Sequence, residues 1–72
     1  MKEYPIVLER EEDGRYSVFA PDLSGCVSWG RTREDAIENI KEAIELWIES
    51  AKDDGENIPP PGSSLAYVKI AS

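Results

Sequence analysis

Carboxylates are the most numerous side chains in this sequence that could take part in chemistry. Five of them recur at intervals of three or four residues, which would place them on one face of a helix: Glu34, Glu38, Glu42, Glu45 and Glu49. Paired carboxylates can hold metal ions for phosphodiester cleavage, but such a site needs acids that project from several elements onto one point. The last strand-like run, residues 65–70, contains no acid, so the pattern argues against a nuclease.

The acidic stripe, defined as these five glutamates, has two further interpretations. Neighbouring glutamates on a helix repel one another by a few tenths of a kcal/mol per pair, and Lys41 alone offers local relief. Such a stripe is either a solvated helix face or a negative surface kept for a basic partner. The sequence leaves both interpretations open.

Nucleophilic catalysis has little support in the sequence. The chain has no histidine and a single cysteine, Cys26, so a histidine-activated dyad or triad is excluded and zinc lacks its usual ligands. No lysine or arginine lies within four residues of Cys26, which favours a packed structural thiol over a reactive one. We predict that the protein is not an enzyme and uses no cofactor or metal.

Length and charge limit the remaining functions. A chain of 72 residues makes one domain with a marginal core, and without a disulfide it is expected to gain stability by forming a homo-oligomer, a dimer or a tetramer. Its net charge of −7 argues against direct nucleic-acid binding. With no signal peptide and no apolar run of about 20 residues, we expect a soluble, cytoplasmic protein that does not bind a membrane.

The first part of the chain predicts three antiparallel strands. Residues 4–8 and 16–20 are rich in β-forming residues, and Asp13-Gly14 between them is typical of a hairpin turn. Pro5 should lie near the start of its strand, because proline has no N–H to donate. Residues 26–29 predict a short third strand.

A long helix and a last strand follow. Thr32 and Asp35 have the spacing of a capping box, apolar residues recur at helical intervals over residues 33–52, and Gly55 is a suitable stop. The proline-rich residues 58–64 predict an extended connector, and residues 65–70 alternate like a strand. The predicted fold class is α+β, in the order β-β-β-α-β, with the helix on one face of a four-stranded sheet.

Period-two alternation assigns side chains to the two faces of that sheet. The side predicted to meet the helix consists of Ile6, Leu8, Val18, Val68 and Ile70. The second side would carry Val7, Phe19, Trp29 and Tyr67. That second patch is too apolar to face water comfortably, and we predict that it is an interface with a copy of the chain or with another protein.

The segment between the second and third strands carries a family resemblance. Residues 16–26 end in Pro21-Asp22-Leu23-Ser24-Gly25-Cys26, a helix entry at Gly30, Thr32, Glu34, Asp35 and Ala36 follows, and Ile58-Pro59 with Pro61 precedes the last strand. Together these motifs resemble the HicB antitoxin family, specifically its N-terminal partial ribonuclease H-like domain. The family's Pro-Asp-Leu-Pro-Gly-Cys-like run differs here only in that Ser24 replaces the second proline. The resemblance covers almost all of residues 1–72, which we interpret as a single HicB-like domain.

The resemblance implies an inhibitor of a toxin. HicB proteins neutralise HicA, a small basic toxin that cleaves mRNA, by covering its active surface, and complementary charge would favour such a pair. Many members also carry a C-terminal DNA-binding domain, whereas this sequence has nothing after Ser72, so we expect no such domain here. The alternative is an orphan homo-oligomeric interaction domain without a toxin.

Three regions are candidates for the contact with a toxin or with a second copy. They are the turn (Pro21, Asp22, Leu23), the helix face (Glu38, Glu42, Glu45, Glu49) and the second sheet face (Phe19, Trp29, Tyr67).

Overall fold

Three antiparallel strands and one helix make up the fold. The computed structural model describes residues 2–71 and places β1 at Val7–Arg10, β2 at Tyr16–Phe19, β3 at Val27–Gly30 and α1 at Arg33–Asp53. The strands lie in the order β1-β2-β3, and both neighbouring pairs are antiparallel. The predicted α+β order of three antiparallel strands followed by one long helix is confirmed.

The β1–β2 hairpin forms where the sequence predicts it. Gly14 has a φ of 92°, a value that favours glycine, and the Glu11 N–H donates to the Arg15 carbonyl at 2.7 Å to close the loop. Pairing begins at Val7, two residues after Pro5, and extends to Arg10. β1 therefore lies further along the chain than predicted, because the register is set by the tight loop rather than by the apolar run.

Helix α1 begins and ends on local signals. The Thr32 hydroxyl oxygen accepts a hydrogen bond from the Asp35 N–H at 3.1 Å, and Glu34 and Asp35 place negative charge in the first turn. After Asp53, Gly55 takes a φ of 70° and its N–H donates to the Lys52 carbonyl. The predicted capping and helix stop are confirmed.

The core lies between the sheet and α1. Six buried residues form one cluster, and they come from β2, the turn after it and the first half of the helix: Val18, Ala20, Leu23, Cys26, Ala36 and Ile40. Ile6 and Leu8 pack against this cluster while partly buried, as the predicted side assignment requires.

Gly30 brings α1 directly onto the end of β3. A Cβ atom at this position would lie 2.7 Å from the Asp35 carbonyl carbon and 2.8 Å from the Ala36 Cα atom. Only a residue without a side chain allows the helix to start this close to the strand.

The predicted fourth strand is not formed. Over residues 2–71 the sheet has three strands, and the side chains of Leu65, Tyr67, Val68 and Ile70 are 77 % to 90 % exposed. Val68 and Ile70 therefore do not meet the helix, contrary to the prediction. We call residues 65–70 the arm. The alternation of side chains along the arm favours an extended backbone, but a strand also needs the edge of another strand to pair with.

Two hydrogen-bonded anchors fix the path of the connector that leads to the arm. The Tyr4 hydroxyl donates to the Pro59 carbonyl at 2.6 Å, and the Ser63 hydroxyl donates to the Asp22 carboxylate at 2.8 Å. The arm then extends away from the body, and the radius of gyration is 14.0 Å. A folded chain of this length without such an extension has a radius of about 11 Å.

Candidate functional site

The turn between β2 and β3 folds back on itself. The Leu23 N–H donates to the Ala20 carbonyl and the Cys26 N–H donates to the Leu23 carbonyl, both at 3.1 Å, while Gly25 has a φ of 75°. This double reversal turns the Leu23 side chain into the core, where it is 1 % exposed. Of the three turn residues predicted as contacts, Pro21 is exposed, Asp22 is half-buried, and Leu23 is not available to a partner.

The far end of the helix holds the turn in place. The Trp47 indole N–H donates to the Ser24 carbonyl at 2.9 Å, so Trp47 links α1 to the turn while its ring packs against the core. Cys26 is 4 % exposed, and burial raises the pKa of its thiol. A thiol with a raised pKa is a poor nucleophile at neutral pH, which agrees with a structural role.

Asp22 ties the connector to the turn. Its carboxylate accepts hydrogen bonds from the Ser63 hydroxyl and, at 3.3 Å, from the Ser63 N–H. The donated hydroxyl hydrogen bond is the main reason that the pKa of Asp22 lies below its usual value of 3.8. The side chain of Asp22 is thus already engaged within the chain.

The acidic stripe occupies the side of α1 that faces away from the sheet. All five of its glutamates are exposed, whereas the buried helix residues Ala36, Ile40 and Ala51 lie on the opposite side. Within residues 2–71 the single ion pair joins Arg15 to Asp13 in the hairpin loop. The stripe is therefore a continuous negative surface, about 22 Å from Glu34 to Glu49, with no cation of the described chain paired to it.

The other side of the sheet is uncovered. Val7, Phe19 and Val27 are cross-strand neighbours in one row, and Trp29 follows in the next row. Phe19, Val27 and Trp29 are 36 %, 65 % and 53 % exposed. We call these four residues the open face. Its aromatic content is typical of protein interfaces.

Trp29 is held at the polar end of the open face. The Arg15 guanidinium lies 5.5 Å from the centre of the Trp29 ring, and the Ser17 hydroxyl beside it donates to Glu11 at 2.8 Å. Val27 was not predicted on this face. The alternation across Val27-Ser28-Trp29 was the available signal, because it puts both apolar residues on one side.

Tyr67, the remaining predicted contact, is not part of the open face. It lies on the arm and is 90 % exposed. The structure therefore brings together Val7, Phe19 and Trp29 of the predicted patch and leaves Tyr67 apart from them.

Neither a metal site nor a membrane span is apparent in the part of the chain that the structure describes. No three acidic or cysteine side chains of residues 2–71 are grouped closely enough to bind an ion. Helix α1 is too polar to cross a bilayer, and residues 2–71 contain no other helix.

Comparison with known proteins identifies relatives of this fold and sequence. Residues 4–71 match the family model of the HicB-like antitoxin of bacterial toxin–antitoxin systems. The chain is 41 % identical to Antitoxin HicB 1 of Photorhabdus laumondii over 82 % of its own length and 38 % of that protein. It is 50 % identical to a UPF0150 protein of Helicobacter pylori over 90 % of each chain.

Solved structures give the same result. The N-terminal domain of the Burkholderia pseudomallei antitoxin HicB superposes with a TM-score of 0.76 at 36 % identity, covering 85 % of this chain and 72 % of that one. The longer structure of the same antitoxin gives a TM-score of 0.78 at 38 % identity, with 89 % of this chain but 47 % of that chain covered. On its sequence match and its fold, the chain belongs to the HicB-like antitoxin family of bacterial toxin–antitoxin systems.

Proposed function

We propose that this chain is an antitoxin that binds a small basic toxin of the HicA type and blocks its action on mRNA by covering its active surface. Membership of the HicB-like family supports a toxin partner in general. The observation that carries the proposal for this chain is the acidic stripe, which is exposed along α1 and unpaired within residues 2–71.

A toxin that acts on RNA needs positive charge to hold phosphates. An acidic surface on the antitoxin attracts the same positive charge, which speeds the encounter and disfavours neutral or acidic partners. The net charge of −7 also keeps the antitoxin itself away from RNA. Binding the stripe would relieve the repulsion among its glutamates, so the toxin would gain affinity that a neutral partner would not.

The proposed inhibition is steric and involves no catalysis by this chain. The helix acids point outwards from α1, the turn acid Asp22 is engaged by Ser63, and the thiol of Cys26 is buried. Catalysis of RNA cleavage would need several acids at one point. Because the target of the toxin is mRNA, we place the pair in the cytoplasm.

Charge-neutralised variants test the stripe directly. The double variant Glu42→Gln with Glu49→Gln removes two charges from the stripe, and Glu12→Gln with Glu56→Gln removes two exposed charges elsewhere. Both have the same net charge. Affinity for a purified small basic toxin of the HicA type should fall by about tenfold in the stripe variant, from two partly screened ion pairs, and by less than about twofold in the control.

The measurement is titration calorimetry at two salt concentrations. The loss in the stripe variant should shrink at high salt, because exposed charges are screened there. Equal losses in the two variants would mean that the toxin binds elsewhere on the surface. If no small basic protein binds the unmodified chain at all, the antitoxin proposal fails.

The open face favours a second candidate function, a homo-oligomeric interaction domain without a toxin. Three exposed apolar side chains on one sheet face, among them Phe19 and Trp29, are suited to burial against another copy. The open face and the acidic stripe lie on opposite sides of the molecule, so a partner on one leaves the other free. A domain that self-associates but retrieves no basic protein would fit this second function.

A further inference from the structure

We infer that the arm, residues 65–70, completes the sheet of a second copy of the chain by pairing with the free edge of β1, and that the exchange is reciprocal. The inference concerns self-assembly and does not depend on the toxin. It rests on three observations: an unpaired edge, a vacant apolar groove next to the segment that leads into that edge, and an apolar arm that its own body does not bury.

The edge of β1 is free for pairing. In an antiparallel pair, every second residue directs its N–H and C=O groups at the partner strand. Glu11 and Arg15 form a hydrogen-bonded pair at the loop. Because such pairs alternate along the ladder, Glu9–Ser17 and Val7–Phe19 are also hydrogen-bonded pairs. The backbone groups of Leu8 and Arg10 consequently face away from β2, towards an edge that no strand of residues 2–71 occupies.

The opposite edge of the sheet is partly blocked. The Ala20 N–H donates to the Cys26 carbonyl, so Cys26 directs its backbone groups at β2. Every second residue after it does the same, and the backbone groups of Val27 and Trp29 therefore face away from β2. The Asn39 side-chain amide of α1 donates to the Trp29 carbonyl at 2.7 Å. A strand added at β3 would have to displace this hydrogen bond. Among the described residues, no side chain forms such a bond with the outward backbone groups of β1.

An open groove of about 790 Å³ lies between the helix and the N-terminal segment that leads into β1. Apolar side chains dominate it, and they come from both walls: Tyr4, Ile6, Ile37, Ile44, Ile48 and Ile58. Helix α1 packs mainly over β3 and β2, which leaves the flank beside β1 uncovered. This is the position of a fourth strand that would lie next to β1 and under the helix.

The arm has the chemistry and the length to fill this groove. Ala66, Val68 and Ile70 share one face of an extended chain, and Leu65, Tyr67 and Lys69 share the other. Six residues of strand extend about 20 Å, and α1 rises about 16 Å from Ile37 to Ile48. With the smaller apolar face in the groove, Tyr67 would face the same open side of the sheet as Val7.

The anchors leave the arm extended into solvent, where another copy can receive it. The Tyr4 hydroxyl holds the connector at Pro59, and Asp22 then binds Ser63 at the turn that joins β2 to β3, so the root of the arm is held at that turn. Two residues later the chain is already extended into solvent, with Leu65 77 % exposed. A second copy can accept the arm without breaking either anchor, and a two-fold arrangement lets each copy give one arm and receive one.

Mixed labelling of the unmodified full chain tests the inference. A preparation of ¹³C,¹⁵N-labelled and unlabelled chains, unfolded and refolded together, is studied by isotope-filtered NMR, which detects contacts between copies only. We expect contacts from the Val68 and Ile70 methyl groups of one copy to the Ile44 and Ile48 methyl groups of the other. The same contacts found only within one copy would show that each arm closes its own groove, and their absence would show a free arm. Either of these results overturns the inference.

Light scattering of two variants supplies an independent measurement. Val68→Asp places a charge on the groove-facing side of the arm and should raise the dimer dissociation constant by about 30-fold or more, the loss expected for a buried interface anchor. Ser64→Asp adds the same charge just before the arm and should leave the constant within about threefold. A Val68→Asp protein that stays as dimeric as Ser64→Asp, or an unmodified chain that is a monomer at high concentration, would contradict arm exchange. Both variants leave the five stripe glutamates unchanged, of which only Glu45 also lines the groove, so toxin binding is measured on the same proteins as a separate result.

Discussion

The turn between β2 and β3 and the arm carry similar apolar residues but have opposite environments. Leu23 in the turn is 1 % exposed, whereas Leu65 in the arm is 77 % exposed. The turn is closed by its own backbone hydrogen bonds and held by Trp47, while residues 65–70 have no bond to the body. Leu23 is therefore buried where hydrogen bonds hold its backbone against the helix, and Leu65 is exposed where the backbone has no such support.

The largest expected effect comes from truncating the two leucines. Leu23→Ala removes a fully buried side chain and should lower the free energy of unfolding by about 2–5 kcal/mol. Leu65→Ala should change it by no more than about 0.5 kcal/mol, since this side chain is 77 % exposed. Urea unfolding followed by circular dichroism measures both. Similar losses would mean that the arm is packed in solution as firmly as the turn.

A smaller effect is expected from adding a methyl group at two glycines. In Gly30→Ala the new Cβ would overlap the backbone of Asp35 and Ala36, and the shift needed to relieve this should cost about 1–3 kcal/mol. In Gly62→Ala, near the root of the arm, the nearest of the described atoms outside the neighbouring residues is the Asp22 Oδ1 atom at 3.8 Å, an ordinary contact. Calorimetry should show a lower Tm for the first variant only. A Tm that is unchanged in Gly30→Ala would mean that the helix does not start against β3.

The smallest effect concerns the Asp22 anchor and depends on pH. Because the Ser63 hydroxyl lowers the pKa of Asp22 below 3.8, the anchor is complete above pH 3.8 and is lost as the pH falls through the lower value of the folded chain. The NMR shift of the Ser63 amide should follow this titration with a midpoint below 3.8. In Asp22→Asn the titration should disappear, and a midpoint at or above 3.8 in the unmodified chain would show that the carboxylate is not bound.

Local signals in the sequence predicted most of the fold. Asp13-Gly14, Thr32 and Gly55 act through their own backbone preferences or through neighbours three residues away, so a reader of the sequence has all the partners in view. The helix bounds of Arg33–Asp53 accordingly match the prediction to within one residue. The start of β1 was predicted three residues early because register depends on the loop and the partner strand.

The fourth strand was wrongly predicted because its formation depends on contacts distant in the sequence. The alternation of residues 65–70 predicts a strand, but whether a strand forms depends on which edge it can reach, and the Asp22–Ser63 bond that decides this joins residues 41 positions apart. Leu23 was predicted as a contact because it belongs to the Pro-Asp turn that carries the family resemblance. Its burial follows from the second reversal at Gly25. The stripe and the open face, which arise from simple periodicity, were predictable as surfaces but not as binding sites for a given partner.

The two tryptophans give the molecule a built-in optical readout. Trp47 donates its indole N–H to Ser24 and packs on the core, whereas Trp29 is 53 % exposed beneath Arg15. In the unbound protein, the two tryptophans therefore differ in fluorescence emission and in access to a soluble quencher. Each tryptophan reports on one side of the sheet. A partner that covers the open face would shield Trp29 without changing Trp47, while release of the turn from the helix would alter Trp47 first. The unmodified protein can thus signal which of its two sides has been engaged, without an added dye.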